Sequence, residues 1–225
     1  FSDAKIILRA HNIEHKLWQD KSRTTRNPFK KIYLSFLYKK LKLYETNILS
    51  NVDAIASISD TDKTYLEKLT GKPIASIPLG IEINTKVKNS KGNHLKLFHI
   101  GAMDWEPNKE AIDWFLKEIW TELIEKYPNL ELHLAGKSIS KDYHLPHANV
   151  ICHGTVEDAT KFIQKHDILI IPLKTASGLR IKIIEAMAQG KIVISSSVGI
   201  RGIKAEHKKH YFNAESLEDY LSAID

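Results

Sequence analysis

Pro172-Leu-Lys-Thr-Ala-Ser-Gly-Leu-Arg-Ile-Lys-Ile-Ile-Glu-Ala-Met-Ala-Gln-Gly190 follows directly on the run Asp167-Ile-Leu-Ile-Ile171. Residues 167–173 are almost continuously apolar, the pattern of a strand buried on both faces. A short Ser/Gly loop comes next. From Gly178 to Gln189 apolar residues recur at helical spacing, and Gly190 stops the helix. Ile192 to Ser195 then reads as another strand. Strand, short loop, helix and strand in this order form the repeating unit of a parallel sheet.

The same alternation extends outward from this stretch. Towards the N-terminus, strands are expected at Leu95–Ile100, Leu130–Ala135 and Asn149–Cys152, each ending at or near a glycine (Gly101, Gly136, Gly154). Between them, a long helix begins at Pro107 and carries Ala111, Trp114, Phe115, Ile119 and Leu123 on one face. A helix over 156–165 precedes the central strand. A last strand near 210–212 and a helix over 215–223 complete this half.

Further upstream the pattern is thinner. Strands are expected at 4–8, 53–58 and 74–78, with a turn at His11-Asn12. Helices are expected over Phe29–Leu49 and Thr61–Leu69, the second capped by Ser59 or Asp60. Residues 85–93 are polar, with Lys, Asn, Ser and Gly, the composition of a linker. The expected organisation is a first region over 1–84, a linker over 85–93 and a second region over 94–225. The fold class is α/β, with a doubly wound parallel sheet in the second region.

Such sheets bind ligands outside the carboxyl ends of their strands. Here those ends carry Gly101, Gly136, Gly154 and the Ser177-Gly178 loop, small residues that admit close approach to the backbone. The start of the 178–189 helix offers free backbone N–H groups to an anion. Arg180 and Lys182 add two cations, which suits a diphosphate. Lys182 and Glu185 lie three residues apart on one helix face. Glu185 is then placed to meet sugar hydroxyls, unless the two simply pair on a solvated surface.

Bulk properties narrow the classes. The 225 residues have ordinary hydrophobic and charged content, and no apolar run is long enough to cross a membrane. A single cysteine, Cys152, excludes an intrachain disulfide and a cysteine-built zinc site and fits a reducing compartment. The chain shows neither an initiator methionine nor a secretory signal, and so reads as a fragment. Its net charge is +6, with basic and aromatic residues concentrated in 16–42. Three readings compete there: a solvated helix face, an anionic membrane surface or lipid-linked ligand, and nucleic acid. No nucleic-acid motif accompanies the charge, so that partner is not expected. No metal site is expected either. Asp60-Thr-Asp62 has a D-x-D spacing, but Asp60 is read as a helix cap.

Glu185-Ala-Met-Ala-Gln-Gly190 resembles the E-A-M-A-x-G donor-site run of family 4 glycosyltransferases of the GT-B fold. Other segments agree in order. Gly101-Ala-Met-Asp-Trp-Glu-Pro-Asn108 resembles the G-x-M-x-W-x-P-N run of one branch. Leu132-His-Leu-Ala-Gly136 resembles the next strand, and Gly154-Thr-Val-Glu-Asp-Ala-Thr-Lys161 the loop that holds the base. Arg9-Ala-His-Asn12, Tyr44-Glu45, Ser57-Ile-Ser-Asp60 and Ile77-Pro-Leu-Gly80 resemble the second half of the acceptor-side domain.

The resemblance implies a Rossmann-like donor domain with an incomplete second Rossmann-like domain. It implies sugar transfer from a nucleotide sugar, UDP- or GDP-linked, to a glycan or lipid-linked acceptor. That transfer would retain configuration and need neither metal nor cofactor. Glu185 would bind the ribose, and Arg180 and Lys182 the leaving diphosphate. Gly178 and Gly101 would let the backbone approach. Val156, Asp158 and Lys161 would line the base pocket, with His11 near the reacting sugar. Ser177 stands where the family's first carboxylate is usual, and Ala102-Met103 where many members have an arginine. The implied setting is bacterial cell-envelope polysaccharide synthesis in the cytoplasm, with peripheral contact at the plasma membrane. A fragment of this kind is expected to bind donor but transfer poorly. The competing expectations are a nucleotide-sugar epimerase of the same fold and a non-catalytic nucleotide-binding module.

Overall fold

A computed structural model describes residues 3–81, 94–140, 143 and 147–225. The expected linker, 85–93, lies outside the described residues. The chain divides into two compact units. The first comprises Phe1–Gly80 with Thr175–Leu179 and Arg201–Ile203. The second comprises Ile81–Lys174, Arg180–Ile200 and Lys204–Asp225.

In the first unit, β1 (Ile7–Ala10), β2 (Ala54–Ser57) and β3 (Ile74–Ser76) form a parallel sheet in sequence order. Helix α1 (Glu14–Thr24) follows β1 and packs on α2 (Pro28–Ser50); α3 (Asp60–Leu66) joins β2 to β3. Sequence reasoning did not give α1 as an element, because its apolar residues are few and its charges many. Three side chains, His15, Leu17 and Ser22, are buried on it. Pro28 stands in the first turn of α2 and Asn27 caps it through Lys30 N. Helix α3 is capped by Ser59, whose hydroxyl accepts from Asp62 N; Asp60 is the first helical residue and not the cap. Ile13, Leu49, Val52, Ile55 and Leu66 form this unit's core.

The second unit holds six strands, all parallel, in the order β6-β5-β4-β7-β8-β9. They are β4 (Lys96–Ile100), β5 (Glu131–Ala135), β6 (Val150–Gly154), β7 (Ile168–Ile171), β8 (Ile192–Ser195) and β9 (Phe212–Asn213). The chain winds outward from β4 to β6, then crosses back to β7 and winds out the other way. That is the doubly wound order, and right-handed crossovers then place helices on both faces. Helix α4 (Glu106–Phe115) runs through a π turn at Leu116–Trp120 into α5 (Thr121–Lys126). The turn buries Leu116, Ile119 and Trp120. The indole N–H of Trp120 donates to Ala148 O at 2.9 Å. Helix α6 (Ala159–Gln164) joins β6 to β7, and α7 (Ile181–Ala188) joins β7 to β8. Helix α8 (Leu217–Ile224) begins with a capping box between Ser216 and Asp219. Phe115, Trp120, Leu132, Leu134, Ile170, Ile194 and Tyr220 belong to one apolar core. The order reverses between β4 and β7, which marks the switch point where a ligand crevice is expected.

Candidate active site

The carboxyl ends of β4 and β5 meet closely. Gly136 has φ +144°, and a Cβ there would lie 2.0 Å from Gly101 O. Only glycine satisfies both conditions. A Cβ on Gly101 would lie 2.7 Å from Lys182 Nζ and 2.7 Å from the Asn108 amide nitrogen. Two glycines thus leave the space into which α7 and α4 send polar side chains.

Lys182 is the centre of this arrangement. Its ammonium donates to Ile100 O at 2.8 Å, the last residue of β4. It also lies 3.3 Å from Asn108 Oδ1 and 3.4 Å from His99 Nε2. Burial, and after it the Arg180 charge, lowers its pKa to about 7. His99 is fully buried, and its Nδ1 lies 3.0 Å from Ile170 O on β7. A carbonyl only accepts, so Nδ1 carries the proton and Nε2 presents a lone pair to Lys182. Burial and the Lys182 charge hold His99 well below its ordinary pKa, against the Ile170 bond. His99 thus lies in the core, bridging β4 to β7 beside the ammonium. Asn108, buried, donates its amide to Ala102 O at 2.9 Å and so fixes the Gly101-Ala102 turn.

Arg180 is buried immediately before α7, its guanidinium 5.5 Å from the Trp105 ring centre. The helix starts at Ile181, three residues later than its periodicity suggested, because the Ser177-Gly178 segment takes a left-handed turn with Gly178 at φ 73°. Glu185 is half-buried on α7, and its side chain makes no hydrogen bond or ion pair to a described residue. The Lys182–Glu185 surface pair does not form, since Lys182 turns inward. Val156 is half-buried between β6 and α6. Asp158 caps α6 by accepting from Lys161 N at 3.0 Å, and the Lys161 ammonium pairs with it at 3.3 Å. That cap delays the helix from residue 156 to 159. Lys109 pairs with Asp113 at 2.9 Å on the exposed side of α4.

Ser177 and Gly178 are assigned to the first unit, as is His11. His11 is exposed and lines a cavity of about 430 Å³ with Asn12, Tyr44, Glu45, Ile48 and Leu66. Below it Glu45 accepts from the backbone N–H groups of Glu14 and His15 at 3.0 and 3.2 Å. The carboxylate therefore closes the N-terminus of α1. Buried His15 also bonds Glu45 through Nδ1 and Tyr65 OH through Nε2, the latter at 2.7 Å. Burial pushes Glu45 upward, but the bonds from His15 and Glu14 outweigh it and leave its pKa lowered. The sequence offered Tyr44-Glu45 as a likeness only. The 30-residue separation of His15 and Glu45 left their contact unreadable.

Residues 94–225 match the family model described as group 1 glycosyl transferases. The chain belongs to that family. A curated relative, an uncharacterised 44.6 kDa protein in the cps region of Klebsiella pneumoniae, is 25% identical over 91% of this chain and 55% of its own length. The chain thus spans about half the length of the curated relative it matches. Among solved structures, TarM from S. aureus with fondaparinux, alpha-GlcNAc-glycerol and UDP superposes with a TM-score of 0.68 at 14% identity. That likeness covers 99% of this chain and 43% of TarM. HepE from Anabaena with UDP and glucose gives a TM-score of 0.67 at 15% identity, over 98% of this chain and 60% of HepE. Sucrose-phosphate synthase from Thermosynechococcus elongatus gives 0.67 at 16% identity, over 97% and 57%. These likenesses show the GT-B type of fold. No helix among the described residues is long and apolar enough to cross a membrane.

Proposed function

We propose that this chain binds the nucleotide-sugar donor of a glycosyltransferase and contributes to retaining, metal-independent transfer onto a glycan or lipid-linked acceptor. The observation that carries the reading is the Lys182 ammonium, set at the switch point against the last carbonyl of β4 and beside Gly101. Burying a lysine in a cation-repelling position is costly. A diphosphate bound there offsets that cost. Its oxygens replace the two long contacts to Asn108 and His99, while Arg180 and the open N–H groups of α7 take the rest. Glu185, whose side chain has no partner among the described residues, receives the ribose. Val156, Asp158 and Lys161 border the base.

When the sugar–phosphate bond breaks, negative charge grows on the nucleoside diphosphate. Fixed cations stabilise that state more than the ground state, and loss of one such contact typically costs about 3–4 kcal/mol of barrier. The HepE and TarM structures, both with UDP, support a uridine nucleotide over guanosine. The cps-region relative supports a role in polysaccharide synthesis. The single free cysteine agrees with a cytoplasmic site. The exposed stripe Phe29, Ile32, Tyr33, Phe36, Leu43 and Tyr44 on α2, with Lys30, Lys31, Lys39, Lys40 and Lys42 around it, supports peripheral contact with an anionic membrane.

A thermal-shift panel of UDP, GDP and ADP with their sugar conjugates tests the donor site. At 100 times its dissociation constant a ligand adds roughly 2.7 kcal/mol, a rise of about 5–10 °C for a chain of this size. Lys182→Met and Arg180→Ala should each abolish it. Because free Lys182 titrates near 7 and a bound diphosphate raises that value, binding should take up a proton at pH 8. Affinity in the wild type should fall as pH rises above 7. No shift with any nucleotide overturns the reading.

A further inference from the structure

Three histidines from separate elements converge in the second unit, apart from the switch-point site. His133 lies on β5, His153 on β6 and His166 just before β7. One ligand atom from each can be chosen so that all lie within 4.8 Å of one another. His133 and His166 are buried and their ring centres are 4.3 Å apart; His153 is exposed. Phe98 and Phe162 pack against the cluster. The β5–β6 register shifts at this point. Cys152 pairs with Leu134 and Gly154 with Ala135, so His153 has no partner across the ladder. Such an irregularity re-aims a side chain.

The hydrogen bonds fix where the lone pairs point. His166 Nδ1 lies 2.7 Å from Phe162 O, which only accepts, so Nδ1 is protonated and Nε2 is a free donor atom for a metal. His133 Nε2 lies 3.1 Å from a Glu131 carboxylate oxygen, so it carries the proton and Nδ1 presents its lone pair. That lone pair faces His153 Nε2 at 2.9 Å. Both buried imidazoles thus hold their second nitrogen on a carboxylate or backbone carbonyl, the arrangement that orients metal-binding histidines. His153, in contact with solvent, can exchange its proton to Nδ1 and turn Nε2 to an ion.

We propose that His133, His153 and His166 form a binding site for a divalent transition ion of the zinc class, with Glu131 orienting His133. Three imidazole nitrogens suit zinc and its neighbours over magnesium or calcium. Metal–nitrogen bonds of about 2.0–2.1 Å require the three atoms to draw in to about 3.3 Å of each other. Water fills the remaining position through the open side at His153. Glu131 lies at the amino end of β5 and His166 precedes β7, whereas Lys182 reaches the carboxyl end of β4. The ion therefore ties β5, β6 and the end of α6 together and takes no part in sugar transfer. Burial, acting on all three rings, opposes their protonation and leaves His166 near 4. Protons then compete weakly with the ion at neutral pH.

The test uses the whole chain, chelator-treated and free of any histidine tag. Zinc chloride is titrated calorimetrically, and cobalt chloride is followed by its visible ligand-field absorption. One equivalent should bind, with the intense absorption of a four-coordinate cobalt centre, and zinc should raise the melting temperature. His153→Ala, an exposed change that leaves the fold intact, should weaken binding at least tenfold and remove the stabilisation. Glu131→Gln should weaken it about 10–100-fold, the usual effect of losing an orienting partner. His207→Ala is the control and should leave the affinity for zinc unchanged. Absence of saturable one-equivalent binding overturns the proposal, as does equal affinity in wild type and His153→Ala. Neither result depends on nucleotide binding, so it stands or falls separately from the donor site.

Discussion

The two units enclose their apolar surface to different degrees. In the second, Phe115, Trp120, Leu123, Leu132 and Tyr220 are fully buried around six strands. In the first, three strands carry a small core, while Phe29, Phe36 and Tyr44 of α2 stand in solvent with at least 61% of their surface exposed. The contrast separates two ways of holding functional groups. The second unit fixes His99 by burying it in the sheet, and holds half-buried Lys182 of α7 against the ends of that sheet's strands. The first unit fixes Glu45 and His15 by hydrogen bonds at one helix end. Packing should therefore dominate the cost of mutation in one unit, and polar bonding in the other.

The largest effect should come from Gly136→Ala. The new Cβ meets backbone, not a flexible side chain, at 2.0 Å and at a positive φ. Neither strand end can yield without breaking the Gly101 N–Ala135 O and Gly136 N–Gly154 O bonds. A loss of more than about 3 kcal/mol is expected, seen as a fall of about 10 °C in melting temperature. A fall of only 1–2 °C would show that the strand ends are pliable and that the close approach is not needed. Truncating Trp120 to Ala belongs in the same range, about 3–5 kcal/mol.

Glu45→Gln should have a middling effect. The substitution keeps the shape but removes the charge that closes α1 and pairs with His15. Charge-assisted hydrogen bonds of this kind are worth roughly 1.5–3 kcal/mol each before neighbours adjust. The pKa of Glu45 is lowered in the folded chain, so the folded state binds fewer protons than the unfolded one. Its contribution is present above the ordinary carboxylate pKa and is lost as pH falls through the lowered value. Denaturation midpoints of wild type and Glu45→Gln should differ at pH 7 and converge in acid. A difference that persists unchanged at low pH would assign the loss to shape alone.

How much of this was readable in the chain follows the same division. The second unit was legible because β7 is apolar throughout, the other strands are largely so, and its helices are punctuated by Pro107 and Gly190. Period and punctuation are local properties. The Arg180–Lys182–Glu185 run was legible as a site candidate because it sits between a buried strand and a helix. What could not be read was which way its side chains turn. A Lys–Glu spacing of three allows a surface pair, and only the space left by Gly101 sends Lys182 inward. Helix α1 was hidden because its stability rests on Glu45, thirty residues away, and not on its own periodicity. The histidine cluster was hidden for a related reason. Its members are 20 and 13 residues apart, a spacing with no metal-site signature, and they meet only because α6 returns the chain to the sheet.

The smallest effect should come from Phe36→Ser, and it tests the comparison most sharply. Phe36 is a large apolar residue in the middle of a long helix, a residue type most often found in a core. The structure leaves 66% of it exposed. Truncation in a buried site would cost about 3–5 kcal/mol, whereas a surface substitution stays within about 0.5 kcal/mol. The denaturation midpoint of the chain should therefore hardly change. Binding to vesicles containing anionic lipid, measured by co-sedimentation, should weaken if the stripe meets a membrane, and more so when Lys39 and Lys40 are also changed to Gln. A loss of several kcal/mol would mean that Phe36 is covered in solution, and the first unit would then resemble the second in how it buries its apolar surface. Unchanged stability with unchanged vesicle binding would leave the exposed stripe intact and remove the membrane from its explanation.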